Sequence, residues 1–229
     1  MGKIILDLCG GTGAWSNPYK KAGYDVWVIT LPDYDVTEAK VSQGILTFSN
    51  RTTMKTMSID AEEVYGILAA PPCTQFSWAR TNAKKKRNLK EGMRIVEACL
   101  RIIRECQYSL KEDYQKKTSL KFWALENPYY GFLKQFLGNP VFVFDPFEFG
   151  DGYKKRTSLW GYFKEPVKRP VELSEEMIRL CKTNSRPLPK FDALKTKEIH
   201  PEFYGKLTRR ERRAITPTGF AKAFFEANK

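Results

Sequence analysis

Apolar residues in this chain fall into short runs set between polar, glycine-rich and proline-rich stretches, and the period within each run predicts its element. Runs at about 4–8, 25–29, 64–69, 121–126, 141–145 and 157–160 are short and nearly continuous in apolar residues, as strands buried on both faces are. One more strand is predicted near 54–59. Helical spacing is clearest over 88–108, where Met93, Val96, Leu100 and Ile103 recur three or four residues apart. Shorter helices are predicted at 18–22, 37–43 and 129–137. Strand alternating with helix predicts an α/β fold with a mostly parallel mixed sheet and helices on both faces. From 165 to about 210 this rhythm gives way to sequence rich in Pro, Lys and Arg, which predicts a small separate region. The stretch 219–228 can form an amphipathic helix with Phe220, Ala223 and Phe224 inward. Only three residues precede the first strand, so this last helix is expected to return and cover the sheet beside it. No internal repeat is visible.

The chemistry-bearing residues stand at strand exits. The run 64–69 leads into Pro71-Pro72-Cys73, where two prolines fix the backbone and end the strand. A thiol is thus presented on a stiff turn at the carboxyl end of a strand, where open α/β sheets bind their ligands. The first strand runs into Asp7-Leu8-Cys9-Gly10-Gly11-Thr12-Gly13, a turn whose glycines let a ligand approach the backbone closely. Its spacing is not the G-x-G-x-x-G of dinucleotide sites, and no hydride-transfer constellation accompanies it. The run 121–126 ends in Glu126-Asn127-Pro128, which delivers a carboxylate at the same kind of position. Each exit alone is an ordinary loop start; their combination and order carry the signal.

Together the three exits resemble the DNA (cytosine-5)-methyltransferase family, in the compact form that bacteriophage genomes encode. The resemblance covers the glycine turn, Pro71-Pro72-Cys73 with Phe76-Ser77, and the Glu126-Asn127 pair. It extends to Lys154-Lys155-Arg156-Thr157-Ser158-Leu159-Trp160-Gly161, similar to the family's arginine-bearing motif, and to the ending Arg213-Ala214-Ile215-Thr216-Pro217-Thr218-Gly219-Phe220-Ala221. It implies a Rossmann-like S-adenosylmethionine-dependent methyltransferase fold. The catalytic part would span 1–164, a small target-recognition region 165–210, and a returning terminal helix 211–229. The chain departs from the family pattern at Cys9, usually aromatic, at Ala14, usually glycine, and at Pro128, usually valine. After the second strand it reads Thr30-Leu31-Pro32-Asp33 where an acidic residue normally holds the cofactor ribose, which leaves that role to Asp33 or Asp35.

The resemblance implies a reaction whose needs these residue types meet. Carbon 5 of cytosine is not nucleophilic until the ring's aromaticity is broken, and a thiolate adding to carbon 6 breaks it. The charge that develops toward ring nitrogen 3 is relieved by an acid. Cys73 is the expected nucleophile and Glu126 the expected acid, with burial raising the affinity of Glu126 for its proton. Arg156 is the candidate to hold the ring carbonyl by a charge-assisted hydrogen bond. The methyl donor, S-adenosylmethionine, is expected against Asp7, Leu8, Cys9, Gly10, Gly11, Thr12, Gly13, Trp15, Thr30, Asp33 and Pro71. His200, the one histidine, is remote from these motifs, so water is the expected base for the carbon 5 proton. A target inside a duplex must be swung out of the stack. Gln75, or a residue among 78–82, is expected to fill the gap, and Ser77, Arg80, Lys84, Lys85, Lys86, Arg87 and Lys155 are expected to touch the DNA.

Charge supports a polyanionic partner. The chain carries a net charge of +13, concentrated in Arg80 with Lys84 to Arg87 and Lys90, in Lys154 to Arg156, and in Arg209-Arg210 with Arg212-Arg213. Five cysteines without metal-ligand spacing and a single histidine argue against a disulfide framework and a metal site. No apolar run has membrane-spanning length and no cleavable signal precedes the first strand, so a cytoplasmic protein is expected, and a monomer. The resemblance implies double-stranded DNA as its partner, and the bacterial host as its setting if phage-encoded. The same fold acting on RNA cytosine or a free deoxycytidine nucleotide, a modified donor, and a non-enzymatic DNA-binding protein are the competing expectations.

Overall fold

A computed structural model describes residues 3–78, 83–108, 120–172 and 201–229. In chain order it contains β1 (Ile4–Leu8), α1 (Asn17–Lys21), β2 (Asp25–Ile29), β3 (Lys40–Ser42), β4 (Ile45–Ser49), β5 (Thr56–Asp60) and β6 (Val64–Ala69). There follow α2 (Leu89–Gln107), β7 (Phe122–Pro128), α3 (Lys134–Leu137), β8 (Phe142–Phe144), β9 (Thr157–Tyr162), α4 (Arg209–Ala214) and α5 (Thr218–Asn228). The main sheet has the order β2-β1-β6-β7-β9-β8. Its first four strands are parallel, whereas β9 runs antiparallel to both β7 and β8. The chain is therefore α/β with a mostly parallel mixed six-stranded sheet. The strand order reverses at β1, which has β2 on one side and β6 on the other. In open sheets that reversal opens a crevice at the carboxyl ends of the strands.

Alternate residues of the strands feed two cores. Leu6, Leu8, Ile67, Ala69 and Leu125 join Val96, Cys99, Ile102 and Ile103 of α2 on one face. Ile5, Leu68, Phe122, Ala124 and Leu159 join Trp15, Tyr19, Phe220 and Phe224 on the other. Helix α5 thus returns to the first strand's side of the sheet. Phe224 meets Trp15 edge-on at 5.5 Å, and Phe220 stacks on Phe144 at 3.9 Å. Its inward face is Phe220, Ala221, Phe224 and Asn228, with Ala223 only partly buried.

One predicted helix is replaced and another is shortened. Over 37–43 the chain makes one 3-10 turn, Val36–Glu38, capped by Asp35 accepting from the Thr37 amide, and then enters β3. Gln43 and Gly44, with φ of 50° and 77°, form a two-residue hairpin turn into β4. β3, β4 and β5 make a separate antiparallel sheet, whose Leu46, Phe48 and Ile59 join the core around α2. Over 129–137 only Lys134–Leu137 is helical, because the backbone ahead of it is engaged elsewhere: Phe132 N–H donates to the Phe76 carbonyl and Gly131 bridges Ser77. The boundary at 210 falls inside α4, and the terminal helix itself begins at Thr218. Most of the region 165–210, namely 173–200, lies outside the described residues. No helix among the described residues is long and apolar enough to cross a membrane.

Candidate active site

Because β1, β6 and β7 are parallel, their exits share one edge of the sheet. β9 runs the other way, so its entry meets the same edge, with Thr157 opposite Pro128. The topology therefore assembles the glycine turn, the Pro-Pro-Cys turn, the Glu-Asn pair and the Lys155-Arg156 pair along that edge.

Cys73 opens a 3-10 turn, Cys73–Gln75, and its carbonyl accepts from the Phe76 and Ser77 amides at 2.9 and 2.8 Å. Its side chain is partly exposed. The turn is tied to β7 by Asn127, whose Nδ2 donates to the Pro71 carbonyl at 2.9 Å; Asn127 is buried, and its Oδ1 has no partner among the described residues. Next to it, Glu126 is partly buried. Burial raises its affinity for a proton, and the positive charge of Lys155 opposes this. Lys155, which the resemblance implies as a DNA contact, is also the cation whose charge bears on Glu126.

Arg156 lies with its guanidinium 5.1 Å from the Tyr129 ring centre and 3.5 Å from Asp145, half of its side chain in solvent. Its carbonyl accepts from the Tyr129 amide, which fixes the entry of β9 to the exit of β7. Asp145 in turn accepts from the Lys155 amide at 3.0 Å.

The glycine turn is held from both sides. Ser16 Oγ donates to Asp7 Oδ2 at 2.5 Å, and the Gly11 amide donates to Thr30 Oγ1 at 3.2 Å. A β-carbon at Gly10 would run into the Asp7 carboxylate, and Gly11 and Gly13 take φ of 56° and 69°, where L side chains are strained. Cys9 shares that conformation at φ 58° and turns toward α2. A thiol–thiol hydrogen bond to Cys9, and then burial, hold the Cys99 thiol well above its ordinary range. Asp7 is fully buried, and burial pushes its pKa up to about 6 against the Ser16 bond. Its Oδ1 and the buried Trp15 Nε1 have no partner among the described residues, while a β-carbon at Gly11 would meet open space. The orphaned Asp7 acceptor and the open space beside Gly11 fit a polar ligand at the switch point.

Other predicted residues have local duties. Asp33 accepts from Thr52 Oγ1 at 2.7 Å, and Asp35 caps its 3-10 turn and faces Arg51 at 3.5 Å, so both carboxylates hold the loop after β4. Gln75 Oε1 accepts from the Asn88 amide at the start of α2, and its carbonyl accepts from Arg87 at 2.8 Å. Lys84, Lys85 and Lys86 are exposed, whereas Arg87 lies 4.9 Å from the Phe132 ring centre. Arg80 lies outside the described residues. Leu8 is buried and Thr12 partly so. Sequence reasoning missed Ser16, whose hydroxyl binds Asp7 and makes no cap on α1, so its place before a helix start does not signal this role. It also missed Tyr129 and Asp145, which have no local signature.

No protein-family model matches this chain, and no curated protein matches it in sequence.

Proposed function

We propose that this chain transfers a methyl group from S-adenosylmethionine to carbon 5 of cytosine in double-stranded DNA, through addition of Cys73 to carbon 6 of a base swung out of the duplex. The observation that carries this reading is the Asn127–Pro71 hydrogen bond, which joins a nucleophile turn to an acid-bearing strand end. S-adenosylmethionine, when bound, supplies a methyl group made electrophilic by the sulfonium that carries it. Asp7, Gly11, Gly13 and Thr30 would hold it, the orphaned Asp7 oxygen accepting from it and the open turn admitting it.

The chain's own residues do the rest. Cys73 Sγ forms a bond to carbon 6, and the ring electrons move through carbon 5 and carbon 4 to nitrogen 3, where Glu126 gives up its proton. Burial of Glu126 favours the protonated form that this step requires. Arg156, anchored on Tyr129 and only loosely engaged by Asp145, donates to the ring carbonyl. Carbon 5, now an enamine carbon, would take the methyl group as the methyl–sulfur bond breaks and leaves its electron pair on the donor sulfur. Water then removes the carbon 5 proton, the Sγ–carbon 6 bond breaks, and Glu126 regains its proton from nitrogen 3. The exposed Lys84, Lys85 and Lys86 supply sequence-independent attraction to phosphates.

Duplex DNA containing 5-fluorocytosine tests this reading, because fluorine at carbon 5 cannot leave as a proton does. With S-adenosylmethionine present, the wild-type protein is expected to form a denaturation-resistant adduct and Cys73→Ser none. An adduct of equal yield in the variant would remove Cys73 from the chemistry.

A further inference from the structure

Beside the Cys73 turn lies an aromatic surface that the chemistry above does not use. Trp78 and Tyr130 are 46% and 55% exposed, with ring centres 6.2 Å apart and planes inclined by 39°. Their backbones are tied together: the Trp78 amide donates to the Tyr130 carbonyl at 3.1 Å, and Ser77 bridges Gly131. Phe132 supports Trp78 from behind at 6.3 Å. Cations surround the pair. Lys134 Nζ stands 5.9 Å from the Trp78 ring centre and 5.4 Å from that of Tyr129, Arg156 lies on Tyr129, and Arg87 lies on Phe132.

Two adjacent exposed rings, fixed by backbone hydrogen bonds and ringed by positive charge, do not suit an apolar protein partner, which would have to bury those charges unpaired. Nucleic acid offers both complements, phosphates for the cations and base faces for the rings. Only an unstacked base has a face to offer. Trp78 follows Cys73 by five residues and Tyr130 follows Glu126 by four, so the rings stand beside the place where a base would leave the duplex.

We infer that the Trp78–Tyr130 shelf stacks an unpaired DNA base next to the extruded cytosine, so that the protein binds DNA with an unpaired flank more tightly than fully paired DNA. This rests on the reading of the Cys73 site given above. The test measures binding, without methyl donor and at one salt concentration, to a paired duplex and to the same duplex with a short gap exposing unpaired bases. Trp78→Leu and Tyr130→Leu, each checked by thermal melting, are expected to weaken binding to the gapped DNA by about five- to 150-fold, to weaken binding to paired DNA by much less, and to leave the salt slope nearly unchanged. Trp78→Phe should recover most of the loss. Equal weakening on both DNAs, or no weakening in either variant, would overturn the proposal; with two independent positions, the second decides the matter if one variant folds poorly. The 5-fluorocytosine adduct separates the two readings: an adduct without gap preference discards the shelf alone, and gap preference without an adduct discards the chemistry alone.

Discussion

Replacing Asn127 by alanine uncouples the two strand ends without touching a reacting group. Its side-chain amide donates a buried hydrogen bond of 2.9 Å to the Pro71 carbonyl, so alanine leaves that carbonyl without this partner. A buried acceptor left unsatisfied costs about 1–3 kcal/mol. Loss of the unpartnered Asn127 Oδ1 offsets part of this. In a chain of this length each kcal/mol moves the melting temperature by about 2–4 °C, so the variant should melt roughly 2–10 °C below wild type. The rate should fall further than stability, because a nucleophile displaced by about 1 Å loses on the order of 10²-fold. Single-turnover adduct formation on the 5-fluorocytosine duplex, at a temperature where both proteins are folded, reads this directly. Asn127→Asp refines the test. As a carboxylate it sets acceptor against acceptor, and as an acid it restores a donor to Pro71. Its folded pKa would be raised by burial, so its stability should approach wild type below about pH 4 and be lost as pH rises through the raised value. An undiminished adduct rate in Asn127→Ala would show that the bond does not place Cys73.

Asp7 makes a second pH argument. Its folded pKa of about 6 lies above the ordinary 3.8, so its favourable contribution is complete below about pH 4 and is lost as pH rises through about 6, a difference of about 3 kcal/mol. Asp7→Asn should therefore gain melting temperature relative to wild type between pH 4 and pH 7; a difference that stays constant with pH would contradict the burial of an ionising Asp7. Glu126→Gln should slow adduct formation by roughly two to four orders of magnitude. In Lys155→Ala, removal of the opposing charge should move the alkaline limb of the pH–rate profile to higher pH, and a shift the other way would show that Lys155 does not act on Glu126. Replacing Lys84, Lys85 and Lys86 by alanine should flatten the slope of log affinity on log salt by about 0.9 for each phosphate no longer neutralised, alike on all sequences; an altered choice of cytosine would instead place these lysines at the bases.

The main sheet was legible because β1 and β6 are covered on both faces and so write themselves as unbroken apolar runs. β4 carries the alternation of a half-buried strand in Ile45-Leu46-Thr47-Phe48-Ser49, but its hairpin turns on Gln43-Gly44 rather than on the usual Asn-Gly, and the preceding residues imitate a helix start. The predicted helix over 129–137 is cut to Lys134–Leu137 for a non-local reason: the residues ahead of it are occupied in bonding to the segment after Cys73, more than fifty residues away. The site divides in the same way. Each strand exit announces its residue type locally, whereas Asn127 to Pro71, Thr30 to Gly11 and Lys155 on Glu126 are pairings across strands that no window of sequence contains.

The direction of β9 decides the electrostatics of the whole edge. Had β9 run parallel to β7, its Tyr162 end would have met Pro128, and the Lys155-Arg156 pair would have stood at the far side of the sheet. Running antiparallel, it brings both cations to the edge that holds Glu126 and leaves the chain free to cross to Asp145, which takes the Lys155 amide and part of the Arg156 charge. Glu126 thus sits between two opposed influences, burial that keeps its proton and a lysine that draws it away. The reaction proposed above requires Glu126 both to deliver and to recover a proton; burial, the larger influence, favours the protonated form, and Lys155 opposes it. The antiparallel strand is thus the element that sets the charge of Lys155 against the burial of Glu126.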